Sequence, residues 1–224
     1  MPRRIALSVA FASAAACSPA DARPALPDPA PSPAVTSTAR LDTAYFAGGC
    51  FWGIEAVYRH IRGVTSLVSG YAGGRTVNPS YEDVSSGATG HAESVRVIYD
   101  PTVVSYGTLL KVFFSVAHDP TELNRQGPDV GTQYRSAIFA RDTAQARAAR
   151  EYIAQLGAAE DFRAPIVTEV KPLARFYPAE DYHQNYLALH PREPYIVYND
   201  LPKLEALKRE FASIYRDDGI AAAR

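Results

Sequence analysis

After Met1 the sequence contains no methionine, and its 224 residues include one tryptophan and two cysteines. The missing methionines remove a side chain whose oxidation to sulfoxide disrupts cores, which suits a protein working among oxidants. Two cysteines cannot build the multi-bridge framework of a small secreted domain. Five histidines without ligand spacing, beside so few cysteines, argue against a bound metal. No basic run exceeds two residues, so a nucleic-acid footprint is absent. No apolar stretch reaches the ~20 residues of a membrane-spanning helix. With 47% hydrophobic and 21% charged residues and a net charge of −1, the composition is that of one globular domain with additions.

The additions come first. Arg3 and Arg4 precede an apolar run, Ile5 to Ala12, and the small residues Ser13-Ala14-Ala15-Ala16-Cys17. This order is that of a secretory signal peptide over residues 1–16. It also resembles a bacterial lipoprotein signal, in which the cysteine after the cleaved bond, here Cys17, is lipidated. Ala14 stands where leucine is commonest, so plain cleavage near Ala16 is the alternative. Residues 17–41 are rich in proline, alanine and serine, with Pro19, Pro24, Pro27, Pro29, Pro31 and Pro33, and read as a disordered, extended tether. Residues 1–16 carry two arginines and no acid, so their removal leaves 21 basic and 24 acidic side chains, a net charge of −3. With Cys17 acylated or lost, Cys50 is the one free thiol.

From residue 42 to 215 strand and helix patterns alternate without a repeat, which indicates one α+β or α/β domain; residues 216–224 read as a flexible tail. Strands are expected over 43–47, 64–71, 93–99, 133–140 and 165–170. Helices are expected after Cys50, around Leu109 to Val116 with Ser105 as cap, from Asp142 to near Gly157, and over 181–189 and 201–215.

The chemistry concentrates around Gly48-Gly49-Cys50-Phe51-Trp52-Gly53. A strand stopped by paired glycines, then Ile54, Val57, Tyr58 and Ile61 at helical spacing, puts Cys50 on the first turn of a helix. Unpaired backbone N–H groups and the helix dipole there favour a thiolate. The plainer alternative is a buried structural cysteine. Glu93, in Thr89-Gly90-His91-Ala92-Glu93, is either a solvated edge carboxylate or a general acid. Tyr134 follows Asp129-Val130-Gly131-Thr132-Gln133 and could simply pack among fourteen tyrosines. Tyr182-His183-Gln184-Asn185-Tyr186 reads as helical and as support for a pocket wall.

Four segments in this order, Gly48 to Gly53, Gly90 to Glu93, Gly131 to Ser136 and Tyr182 to Gln184, resemble the A-type peptide methionine sulfoxide reductases over roughly residues 42–215. The resemblance implies a two-layer α/β plait (ferredoxin-like) around a mixed sheet. It makes Cys50 the nucleophile and Glu93 its acid partner, with Phe51 and Trp52 walling a pocket for the substrate methyl group. Tyr81, Glu93 and Tyr134 would hold the sulfoxide oxygen, and Asp129 would orient substrate. Aromatic walls suit sulfur and methyl, and hydroxyls with a protonated carboxyl donate to oxygen. The implied activity is reduction of methionine S-sulfoxide in proteins through a Cys50 sulfenic acid. It needs no bound cofactor, only an external thiol, a thioredoxin-like protein or a dithiol. The expected partners are oxidised proteins, that reductant, and a membrane through the Cys17 lipid; the expected place is the periplasm. Two departures stand out. Pro128 occupies a usual asparagine position, and no resolving cysteine follows Cys50. Rival readings are a thiol hydrolase pairing Cys50 with His91 or His183, and a non-catalytic surface-binding lipoprotein domain.

Overall fold

The computed structural model describes residues 25–30 and 41–219. The expected signal peptide and Cys17 lie outside them. Strand β1 (Asp42–Ala47) leads through Gly48 and Gly49 into helix α1 (Phe51–Arg59), and β2 (Val64–Ala72) follows. A short helix α2 (Tyr81–Ser85), capped by Ser80, precedes β3 (Ala92–Tyr99). Helix α3 (Tyr106–Val112), capped by Ser105, runs on as a π-turn over Phe113–Ala117. A two-residue hairpin, β4 (Arg125–Gln126) and β5 (Asp129–Val130), interrupts the following loop. Then come β6 (Ala137–Ala140), α4 (Thr143–Ala158) capped by Asp142, β7 (Glu169–Pro172) and β8 (Phe176–Pro178). Helices α5 (Tyr186–Leu189) and α6 (Leu201–Glu210) close the chain.

The six-stranded sheet has the order β7-β6-β1-β3-β2-β8. All pairs are antiparallel except β6 with β7, which α4 connects as a parallel crossover. Its central four strands, β6-β1-β3-β2, with α1 and α3 on one face, are the plait expected from the sequence. Phe46, Ile54, Tyr58, Val97, Leu109, Phe113 and Tyr152 fill the layer between sheet and helices, all at most 1% exposed. The other face carries a smaller cluster of Ala47, Ala72, Ala92, Ala137 and Phe139.

Several local expectations shift. The strand expected over 133–140 begins at Ala137, because Thr132–Tyr134 coil into a 3₁₀ turn. The strand expected over 165–170 starts at Glu169, and β8 was not anticipated. The 181–189 segment is not one helix: Asn185 stands at φ 56°, in the left-handed region, between a 3₁₀ turn and α5. Within the expected tether, residues 25–30 lie against the domain, with Leu26 only 3% exposed. Of the expected tail, Arg216 still donates its N–H to His60 O at 2.9 Å.

Candidate active site

Cys50 is the residue preceding α1, at the end of β1, buried to 8% exposure. Two glycines make the turn possible. A Cβ on Gly48 would come within 2.8 Å of the His118 ring, and Gly49 has φ +92° with Gln126 pressed against it. Gly49 N–H donates to Tyr134 O at 3.1 Å, which ties the cysteine turn to the loop bearing Tyr134.

Glu93 enters from β3, 3% exposed, and its Oε2 accepts the Phe51 N–H at 3.0 Å. The carboxyl thus occupies one of the unpaired donors at the start of α1. Burial, with a contribution from the Asp129 charge, pushes its pKa up to about 8 against the pull of that N–H. It is a neutral acid at pH 7. The same burial pushes the Cys50 thiol well above its ordinary value, and the charges of Glu93, Asp200 and Asp129 push further. The Trp52 N–H works the other way, as the helix-start argument expects, but is outweighed. The helix start therefore does not by itself favour a thiolate here: burial and the neighbouring carboxylates favour the thiol.

The remaining predicted residues converge here. Tyr81 and Tyr134, both partly exposed, have their pKa values raised chiefly by burial, with the Asp129 charge adding to it, and stay protonated. Tyr81 is fixed through its backbone, since its N–H donates to Glu180 Oε1 at 2.8 Å while Tyr71 holds Glu180 Oε2 at 2.9 Å. Asp129 accepts the hydroxyl of Tyr195. Pro128 fits its position without strain on the hairpin, because Gln126 and Asp129 pair directly across Gly127–Pro128 and no N–H is needed there.

Aromatic rings build the wall. Trp52 stacks on Tyr186 with centroids 3.7 Å apart and 6° between planes, and meets Tyr195 edge-on at 5.9 Å. Its indole N–H donates to His183 Nδ1 at 3.2 Å. The His183 ring also lies 5.0 Å from Phe51 and 4.5 Å from Tyr81. His183 therefore supports three wall residues. His91 accepts the Gly74 N–H at 3.1 Å on Nδ1, and its Nε2 meets Thr76 O at 2.8 Å. With His183 Nε2 buried and unpartnered, neither histidine is paired with Cys50, and the Cys–His hydrolase reading loses its base.

Sequence reasoning missed several supports. Gln184 mimics a strand, accepting Ser69 N–H at 2.9 Å and donating to Ser69 O at 3.0 Å. Glu55, 1% exposed, accepts from Ser69 Oγ, from Arg59 and from the Asn185 N–H. Asp200, fully buried, pairs with Lys203 at 3.0 Å and packs against Gly53, where a Cβ would fall 2.1 Å from its Oδ1. The segment from Tyr182 to Tyr186 was expected to support a pocket wall, but its partners Ser69 and Glu55, and the Asp200–Lys203 pair against Gly53, carried no local signal.

Residues 42–214 match the sequence model of the family described as peptide methionine sulfoxide reductase. The peptide methionine sulfoxide reductase MsrA 2 of Mesorhizobium japonicum is 56% identical over 176 residues, 79% of this chain and 90% of its own. The MsrA of Chromobacterium violaceum is 51% identical over 177 residues, 79% of this chain and 100% of its own. Among solved structures, methionine sulfoxide reductase A of Corynebacterium diphtheriae superposes with TM-score 0.61 at 40% identity, covering 74% of this chain and 84% of its own. Reduced Mxr1 of Saccharomyces cerevisiae gives 0.64 at 36% identity, covering 70% and 90%.

Proposed function

The chain belongs to the peptide methionine sulfoxide reductase family, and on that premise we propose how its own residues carry out the reaction. The activity is thiol-dependent reduction of methionine sulfoxide to methionine, a repair of oxidised protein. Cys50 sulfur attacks the sulfoxide sulfur, whose methyl lies against Phe51 and Trp52. Glu93 gives its proton to the sulfoxide oxygen, steadied by the Tyr81 and Tyr134 hydroxyls. The net step converts a thiol and a sulfoxide into a Cys50 sulfenic acid and methionine. The observation that carries this reading is the buried Glu93 carboxyl seated on the same helix start as Cys50, where it accepts the Phe51 N–H.

Turnover then needs an outside thiol. One thiol condenses with the sulfenic acid, releasing water and leaving a mixed disulfide; a second releases Cys50 and leaves as the disulfide of the two. A thioredoxin-like protein or a dithiol supplies both. The S epimer is the substrate by family resemblance. The reading also places the protein outside the cytoplasm, released from residues 1–16 and held by lipid on Cys17, supported by the segment order at its N-terminus.

A methionine sulfoxide peptide tests the chemistry. Without reductant, Cys50 enzyme should release about one methionine per site and then react with a sulfenate trap, as single-thiol chemistry demands. Folded Cys50→Ser should release none. A serine variant with near wild-type turnover, or a Cys17–Cys50 disulfide on the productive path, refutes the scheme. The mass of the mature N-terminus tests export and acylation.

A further inference from the structure

We propose that residues 25–30 are a docking segment, and that a groove between α3 and α4 binds them so as to fix where the N-terminal arm leaves the catalytic domain. Every contact is of a kind that recognises an extended, proline-spaced chain. Leu26 is 3% exposed and joins the main core cluster. The Tyr152 hydroxyl donates to Pro27 O at 2.9 Å. Gln155 clamps the backbone on both sides of Pro29, donating to Asp28 O at 2.8 Å and accepting from Ala30 N–H at 3.1 Å. Lys111 pairs with Asp28 at 2.8 Å. Pro29 lies over Gly107, where an added Cβ would sit 3.5 Å from its ring.

The sequence suits the task. Pro27 and Pro29 have no N–H to leave unpaired, and their φ is already fixed, so less conformational freedom is lost on docking. The ion pair contributes little, because the Asp28 side chain is 88% exposed. Leu26 and the Gln155 clamp supply the selectivity. Beneath the segment a cavity of about 680 Å³ remains, lined on the domain side by Tyr106, Leu110, Tyr152 and Phe211. The segment therefore bridges the groove rather than filling it, and its hold comes from these anchors.

The groove runs from the Tyr99 end of β3, past the start of α3, to the second half of α4. On the export reading given above, docking sets the reach from the anchor. With 25–30 docked, the chain from Cys17 to the docked segment can reach at most roughly 25 Å, against roughly 80 Å from Cys17 to Leu41. The catalytic domain then stands close to its anchor.

The test uses residues 17–224 with Cys17→Ser and Cys50→Ser, spin-labelled at Ala30→Cys and Arg147→Cys. A single narrow inter-label distance is expected, replaced by a broad distribution on adding Leu26→Asp or Gln155→Ala. A broad distribution in the parent, or a narrow one that neither substitution alters, overturns the proposal. In the Cys50 enzyme, Leu26→Asp should leave peptide reductase activity unchanged, showing that loss of the narrow distance is undocking and not unfolding. A narrow distance in a protein whose native N-terminus proves unlipidated keeps the docking and removes only the reach argument.

Discussion

Replacing Glu93 by glutamine should make the protein more stable while disabling it, and the gain should depend on pH. The folded carboxyl titrates near 8, against 4.5 for the ordinary side chain. Between those values the folded state holds a proton that the unfolded chain has released. Stability from this group is full below the unfolded value and is lost as pH rises through the folded one. At pH 7 the accumulated penalty is about 3 kcal/mol. Glutamine stays neutral throughout and its Oε1 can still accept the Phe51 N–H, so it avoids that penalty. For a domain of this size the gain corresponds to a Tm rise of roughly 6–12 °C at pH 7. Near pH 4.5 the two proteins should melt together. Thermal unfolding of both from pH 4.5 to 8.5 reads the difference directly. Activity should fall by about 10²–10⁴-fold, the usual contribution of a general acid. A stability difference that does not change with pH, or a less stable Glu93→Gln at pH 7, would show that Glu93 is ionised in the folded protein and would refute the argument.

Other expectations follow from the same geometry. Cys50 should alkylate more slowly than a free cysteine at pH 7, and faster in Glu93→Gln than in the parent at pH 9, where the parent carboxyl has ionised; fast alkylation at pH 6 would contradict a buried thiol. Tyr186→Leu removes the ring stacked at 3.7 Å on Trp52, so it should shift the emission of this lone tryptophan and raise KM for a sulfoxide peptide more than it lowers kcat. An unmoved spectrum would count against that wall. Gly53→Ala should cost about 1–3 kcal/mol in chemical denaturation, because the buried Asp200–Lys203 pair must shift to admit a methyl group.

The sequence showed the pieces that sit close together along the chain. The strand–turn–helix around Cys50 announces itself because paired glycines and a 3.6-residue apolar period are local signals. The caps Ser105 and Asp142 are equally local, and both accept backbone N–H groups as expected. What stayed hidden depends on distant partners. Gln133 and Tyr134 look strand-like, yet the 3₁₀ turn lets Gly49 reach Tyr134 O. The helical pattern of 181–189 gives no warning that Asn185 turns left-handed to aim its N–H at Glu55. The thiol's raised pKa was also invisible, since burial outweighs the helix start only once β3 has brought Glu93 alongside. Pro27 and Pro29 suggested a loose arm because composition reports the cost of order and not the groove that offsets it.

The ties between Glu55 and Asn185, Ser69 and Gln184, and Trp52 and His183 span 130, 115 and 131 residues. They close only once synthesis is well into the last third of the chain, and closing such long loops is slow relative to local structure. A partly synthesised or partly refolded chain can hold β1, α1 and Cys50 in place without the His183 wall. Its thiol would then be more exposed than in the finished protein, and open to oxidation beyond sulfenic acid. Completion of the fold therefore protects this cysteine, and an interrupted chain is the form most easily lost to the oxidants whose damage the enzyme repairs.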